Sequence, residues 1–244
     1  MCDKWRYAYA GMKRPDPEAG RSHPTSPEGI EVQLAWRGAR DGARGELILE
    51  TNHGDIHCRF HPALPGHVGV VWAFGVRGGF EGPVNGLYPR LAEQLSEMRI
   101  ASLEIAYRCP GRLIDSALDV LVGVAFLESI GRKSVILVGH SFGGAVAVTA
   151  GVNCDSVIGV AALSSQTAGA VCIHRLAPKP VLLVHGADDD VLPVDCVHRL
   201  YERAREPKQV IVYEGAGHAL NECREALEQD LLTWVRAVAA AAAI

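Results

Sequence analysis

Two rhythms alternate along most of this chain. Short apolar runs rich in β-branched residues occupy residues 68–75, 100–107, 135–138, 157–163, 181–185 and 209–213. Runs of that length and composition, without polar alternation, predict strands buried on both faces. Between them apolar residues recur at helical spacing. Leu87, Leu91 and Leu95 mark a helix over 87–98, and Leu118, Leu121, Val122 and Ala125 share one face of a helix over 113–130 that Gly131 closes. Further helices are expected at 145–150, 194–205 and 224–242. Strands that alternate with helices call for a mostly parallel central sheet with helices on both faces.

The first quarter reads differently. Residues 30–36 predict a strand, and residues 45–60 a hairpin turning at Asn52-His53-Gly54, so an antiparallel edge should precede the parallel strands. Residues 1–29 hold Pro15, Pro17, Pro24 and Pro27 without periodicity and read as an irregular extension, with Trp5, Tyr7 and Tyr9 available for packing. Residues 30–244 then form a single domain. His53, His57 and His61 stand four apart, a spacing that would align three metal ligands on a helix. In a hairpin it loses that meaning, so solvated or hydrogen-bonded histidines are expected and no metal.

One junction in the alternation carries chemistry. After the run 135–138 come Gly139-His140-Ser141-Phe142-Gly143-Gly144 and a small-residue helix. A G-x-S-x-G between strand and helix forces a sharp reversal that presents the serine hydroxyl at the carboxyl edge of the sheet, with a helix N-terminus behind it. Ser141 is the candidate nucleophile. Its neighbour His140 should point away across so sharp a turn.

A serine hydroxyl needs a base to take its proton and an acid to orient that base. Both should lie just past the carboxyl ends of other strands. After 181–185 stands Gly186-Ala187-Asp188-Asp189-Asp190-Val191-Leu192-Pro193, and after 209–213 stands Gly215-Ala216-Gly217-His218. His218 is the candidate base, while His185, at the end of its strand, reads as a packed or hydrogen-bonded residue.

Composition narrows the setting. The net charge of −4 over 244 residues leaves no basic footprint for nucleic acid. Seven scattered cysteines without a C-x-x-C pair argue against a disulfide framework or thiolate zinc site and suit a reducing cytoplasm. The N-terminal segment does not read as a signal peptide, and the apolar C-terminal stretch is short and interrupted by Arg236, so no membrane partner is expected. The oligomeric state is not legible.

With these motifs in order, residues 45–240 resemble the α/β-hydrolase superfamily, in particular its lid-less dienelactone-hydrolase-like and small serine esterase branches. The resemblance implies a triad in the order Ser, acid, His, here Ser141, Asp189 and His218. It also implies an acid three residues after a glycine and four before a proline. Asp189 meets both spacings from Gly186 and Pro193; Asp188 is the next candidate. The oxyanion hole would use the backbone N–H of Phe142, and that of Val76 from the loop after 68–75. If the register slips, the second donor becomes Ala73 or Phe74. Family members usually carry His-Gly in that loop where this chain has Phe74-Gly75, which puts the local hydrogen bonding in question. Arg77 beside it reads as a solvated loop residue.

About seventeen residues separate the strands 157–163 and 181–185, too few for a cap domain. The sequence thus predicts a serine hydrolase of small carboxylic or thiol esters that needs no cofactor. A thioesterase or small peptidase would use the same residues. A catalytically silent binding protein on this fold, or a module binding metal through His53, His57 and His61, are the rivals from other classes.

Overall fold

The computed structural model describes residues 32–38 and 45–242. The extension expected over residues 1–29, with Trp5, Tyr7 and Tyr9, lies outside the described residues, as does the start of the strand expected from Ile30. In chain order the strands are β1 (Val32–Gly38), β2 (Gly45–Thr51), β3 (Ile56–His61), β4 (Val68–Ala73), β5 (Ala101–Ala106), β6 (Ser134–His140), β7 (Val157–Leu163), β8 (Val181–Gly186) and β9 (Lys208–Tyr213). They are joined through α1 (Pro83–Glu97), α2 (Leu113–Ser129), α3 (Phe142–Gly151) and α4 (Asp195–Arg203), and α5 (Arg224–Ala241) closes the fold.

The nine strands form one sheet in the order β1-β2-β3-β5-β4-β6-β7-β8-β9. The pairs β1–β2, β2–β3 and β3–β5 are antiparallel, and all the others are parallel. Every residue of β4, β6 (after Ser134) and β8 is buried, as strands covered on both faces require. On one face Leu87, Leu91 and Leu95 of α1 and Leu227, Leu231 and Trp234 of α5 pack against Val70, Trp72 and Val138. On the other, Val120, Val124 and Leu127 of α2 join α3 and Val197 and Leu200 of α4 over Val71, Leu137 and Leu183.

The regular part of α1 begins at Leu87, where its apolar repeat begins. The preceding Val84, Asn85 and Gly86 have φ of 54°, 47° and 97° and are not helical. Residues 164–180, between β7 and β8, hold only the 3-10 turn Ile173–Arg175, so no cap domain is inserted there. No helix among the described residues is long and apolar enough to cross a membrane. Chain direction over the sheet reverses between β4 and β6, because α1 leads from β4 to β5 on one side while α3 leads from β6 to β7 on the other. A crevice opens at such a switch point, past the carboxyl ends of the strands.

Candidate active site

The elbow at that crevice is held by steric necessity. Ser141 has φ 58° and ψ −120°, a conformation that costs a residue with a Cβ of order 1–3 kcal/mol. The surrounding glycines leave no room for anything larger. A Cβ on Gly139 would sit 2.0 Å from the Gly143 carbonyl oxygen, and one on Gly143 would sit 2.3 Å from the carbonyl oxygens of both Ala73 and Phe74. The first turn of α3 is therefore pressed against the end of β4. The Ser141 N–H donates to the Leu163 carbonyl at 2.8 Å and fixes the elbow to β7.

Ser141 Oγ lies 3.0 Å from Nε2 of His218, and Nδ1 of His218 lies 2.8 Å from Oδ2 of Asp189. Three loops, after β6, β8 and β9, thus bring the three side chains into one hydrogen-bonded row. Within the run of aspartates, Asp188 and Asp190 are exposed and Asp189 is buried. Its Oδ1 accepts the N–H groups of Val191 at 2.9 Å and Leu192 at 2.8 Å. Burial opposes the charge of this carboxylate, but the Leu192 N–H, His218 and the Val191 N–H outweigh it and hold the group below the ordinary carboxylate range. It is ionised at neutral pH and fixes the proton of His218 on Nδ1, which leaves Nε2 to accept from the serine.

Two further histidines surround the row. His140 does not point away from the site: its Nε2 donates to the backbone carbonyl of His218 at 2.9 Å, and the two rings stand 4.9 Å apart. The elbow reverses the chain at Ser141, one residue later, so the side chain of His140 still follows the strand and lands beside the loop after β9. Burial pushes the His140 imidazole down to about 4. His185 is fully buried and donates from Nε2 to the Leu192 carbonyl at 2.9 Å, with Oδ2 of Asp189 3.1 Å from the same nitrogen. On the far side of His218, the Gly217 N–H donates to Glu222 at 3.1 Å and lowers that carboxyl.

Of the expected oxyanion donors, Phe142 is the first residue of α3, where helix geometry leaves the N–H without an intrahelical acceptor. On the loop after β4, Gly75 lies beside the serine: a Cβ there would lie 3.9 Å from Cβ of Ser141. Val76 follows, half exposed, and Arg77 is exposed. On this loop the Tyr107 hydroxyl donates to the Phe74 carbonyl at 2.9 Å. Sequence reasoning passed over Tyr107. Its position at the end of a strand next to β4 was the available signal.

The three hairpin histidines are not brought together. His53 lies in the turn, His57 is exposed, and His61 is buried with Nε2 2.5 Å from Oε1 of Glu104. Among the described residues no group of three or more His, Cys, Asp or Glu is arranged to hold a metal.

Residues 112–233, half of the chain, match the model of the phospholipase/carboxylesterase family. Among solved structures, Est1E from Butyrivibrio proteoclasticus superposes with a TM-score of 0.68 at 16% identity over 80% of this chain and 99% of its own. A dienelactone hydrolase from Anabaena variabilis gives 0.66 at 16% identity, over 84% of this chain and 96% of its own. XC6422 from Xanthomonas campestris, described as a serine hydrolase without a lid, gives 0.64 at 14% identity, over 80% and 95%. At such identities the likeness is one of fold. The uncharacterized protein YqkD of Bacillus subtilis is 46% identical over 43 residues, which are 18% of this chain and only 14% of that protein's length.

Proposed function

The chain belongs to the phospholipase/carboxylesterase family of α/β hydrolases, and from that premise we propose that it is a serine hydrolase cleaving small carboxylic or thiol esters through an acyl-enzyme on Ser141. The observation that carries this reading is the unbroken row from Ser141 Oγ through His218 to Asp189, at 3.0 and 2.8 Å.

In this mechanism Ser141 Oγ attacks the acyl carbon while His218 Nε2 takes its proton. The ionised Asp189 holds the imidazole in the required tautomer and stabilises the imidazolium that forms. The N–H groups of Phe142 and Val76 stabilise the tetrahedral oxyanion. His218 then returns the proton to the departing alkoxide or thiolate, leaving Ser141 acylated. Water, deprotonated by the same imidazole, attacks the acyl-enzyme and releases the carboxylate. No cofactor enters these steps. A thioesterase and a small peptidase differ from this scheme only in the leaving group.

The test is reaction with a fluorophosphonate, followed by mapping of the modified peptide. The expected adduct is on Ser141, and Ser141→Ala should fold normally and lose on the order of 10⁴-fold in turnover or more. Near wild-type hydrolysis by folded Ser141→Ala would overturn the assignment. An unlabelled wild-type protein would favour a silent binding protein on the same fold.

A further inference from the structure

Two tyrosines grip successive carbonyls at the end of β4. Tyr88, on α1, donates its hydroxyl to the Ala73 carbonyl at 3.0 Å, and Tyr107, just past β5, donates to the Phe74 carbonyl at 2.9 Å. They reach these carbonyls from opposite faces of the sheet, since Tyr88 packs in the layer of α1 and α5 and Tyr107 in that of α2, α3 and α4. The same two carbonyls are the ones pressed against Gly143 in the first turn of α3. The Tyr107 ring also stands edge-on to the ring of Phe142, with centroids 6.0 Å apart and planes at 84°. Tyr107 therefore touches both stretches from which the oxyanion N–H groups would come.

The next peptide follows from these. The Gly75 carbonyl accepts the Gly78 N–H at 3.0 Å. In a trans peptide the N–H points opposite to the carbonyl, so the Val76 N–H is turned away from the Gly78 side of the loop. Its direction depends on a run of three fixed carbonyls, two of them held by tyrosine hydroxyls. Burial pushes both phenols up from their ordinary values, so both stay protonated and donate.

We propose that Tyr107, assisted by Tyr88, is a positioning residue that fixes the oxyanion loop of this enzyme through the Phe74 and Ala73 carbonyls. The inference rests on Ser141 being the nucleophile. Donors aimed in advance stabilise an oxyanion without reorganisation as the charge forms, and a loop released from its hydroxyls must be reoriented at that moment. Because the oxyanion exists only past the ground state, the loss falls on kcat and on transition-state analogues, with KM nearly unchanged.

The experiment compares wild type, Tyr107→Phe and Tyr88→Phe in three assays. These are fluorophosphonate labelling, kcat and KM for p-nitrophenyl acetate, and inhibition by phenylboronic acid, whose tetrahedral serine adduct puts an oxygen in the same hole. Tyr107→Phe keeps the ring on Phe142 and should lower kcat on the order of tenfold, less than loss of a donor outright. KM should stay within about twofold, and boronate affinity should fall by the same factor as kcat. Tyr88→Phe should shift both in the same direction by less. Wild type labelled on Ser141 with both variants at wild-type kcat and boronate affinity overturns the inference and leaves the nucleophile standing. Equal losses in kcat/KM that come wholly from KM overturn it as well. Wild type unlabelled overturns the nucleophile and the inference with it. Should Tyr107→Phe not fold, Tyr88→Phe decides by the same readings.

Discussion

The imidazole of His140 donates to the main-chain carbonyl of His218, 2.9 Å away, and so ties the loop after β9 to the end of β6. The bond uses the Nε2 proton, which favours the charged ring, but burial is the larger effect and keeps the ring neutral by lowering the pKa from 6.5 to about 4. Below pH 6.5 this histidine takes a proton in the unfolded chain, while the folded one resists until about pH 4. The unfolded state thus binds more protons across that window. The stabilisation is complete above pH 6.5 and drains as the pH falls towards 4, by on the order of 3 kcal/mol in all. Urea midpoints measured from about pH 8 to about pH 5 should fall for wild type and fall less steeply for His140→Gln. Parallel curves would show that His140 does not carry the slope.

A second buried pair makes a stability prediction away from the elbow. Glu104 of β5 is fully buried, with His61 2.5 Å from one carboxylate oxygen and Arg59 3.3 Å from the other. Removing one partner of such a pair strands the other. Glu104→Ala should therefore lower unfolding free energy by roughly 3–5 kcal/mol, read from urea titration. Because His61 is committed to Glu104, zinc added to wild type should not raise its melting temperature. A rise would revive the hairpin histidines as ligands.

The three aspartates after β8 give a sharper contrast. Asp189→Asn replaces an acceptor that fixes the tautomer of His218 and should depress kcat by on the order of 10³-fold or more. Asp188→Asn and Asp190→Asn change exposed side chains and should stay within about threefold of wild type. Steady-state kinetics on one activated ester measure all three. A larger loss from Asp188→Asn would transfer the acid role to it.

That contrast also marks what a single sequence could reveal. Parallel strands buried on both faces are continuous apolar runs, so β7 was legible to the residue and β4, β5, β6, β8 and β9 to within two at each end. Ser141 and His218 stood out because each follows a strand in a glycine-rich loop, while Asp189 was separated from its neighbours only by the spacing that the family resemblance implies. The start of α1 was not legible, since Pro83–Gly86 carry no apolar repeat and Val84, Asn85 and Gly86 depart from helical dihedrals. Periodicity tells which face a side chain takes, never which atom it meets across the fold. Tyr107 reaching a carbonyl just past the end of β4, and His140 reaching one on a loop 78 residues later, were therefore out of its reach.

The missing cap leads to the prediction about substrate size. Residues 164–180 supply no helix longer than the three-residue turn at Ile173–Arg175, so no cap helix from that segment roofs the crevice. Among the described residues, the large apolar side chains exposed past the carboxyl ends of the strands include Val76, Ile114, Val171 and Val191, between 47% and 61% accessible. Val76, Val171 and Val191 come from the loops after β4, β7 and β8, and Ile114 from the first turn of α2. Such residues give an acyl chain a few contacts but no continuous groove. A groove would reward each buried CH₂ by ~0.8 kcal/mol, about fourfold in kcat/KM per carbon. Here that gain should stop early, and esters of roughly two to six acyl carbons should be preferred. A lid opens at a lipid surface, and without one there is nothing to open, so no jump in rate is expected when substrate forms micelles. A p-nitrophenyl ester series across acyl lengths decides it. A rise in kcat/KM continuing beyond about ten carbons, or activity appearing only above the solubility limit, would mean that another part of the chain walls the pocket.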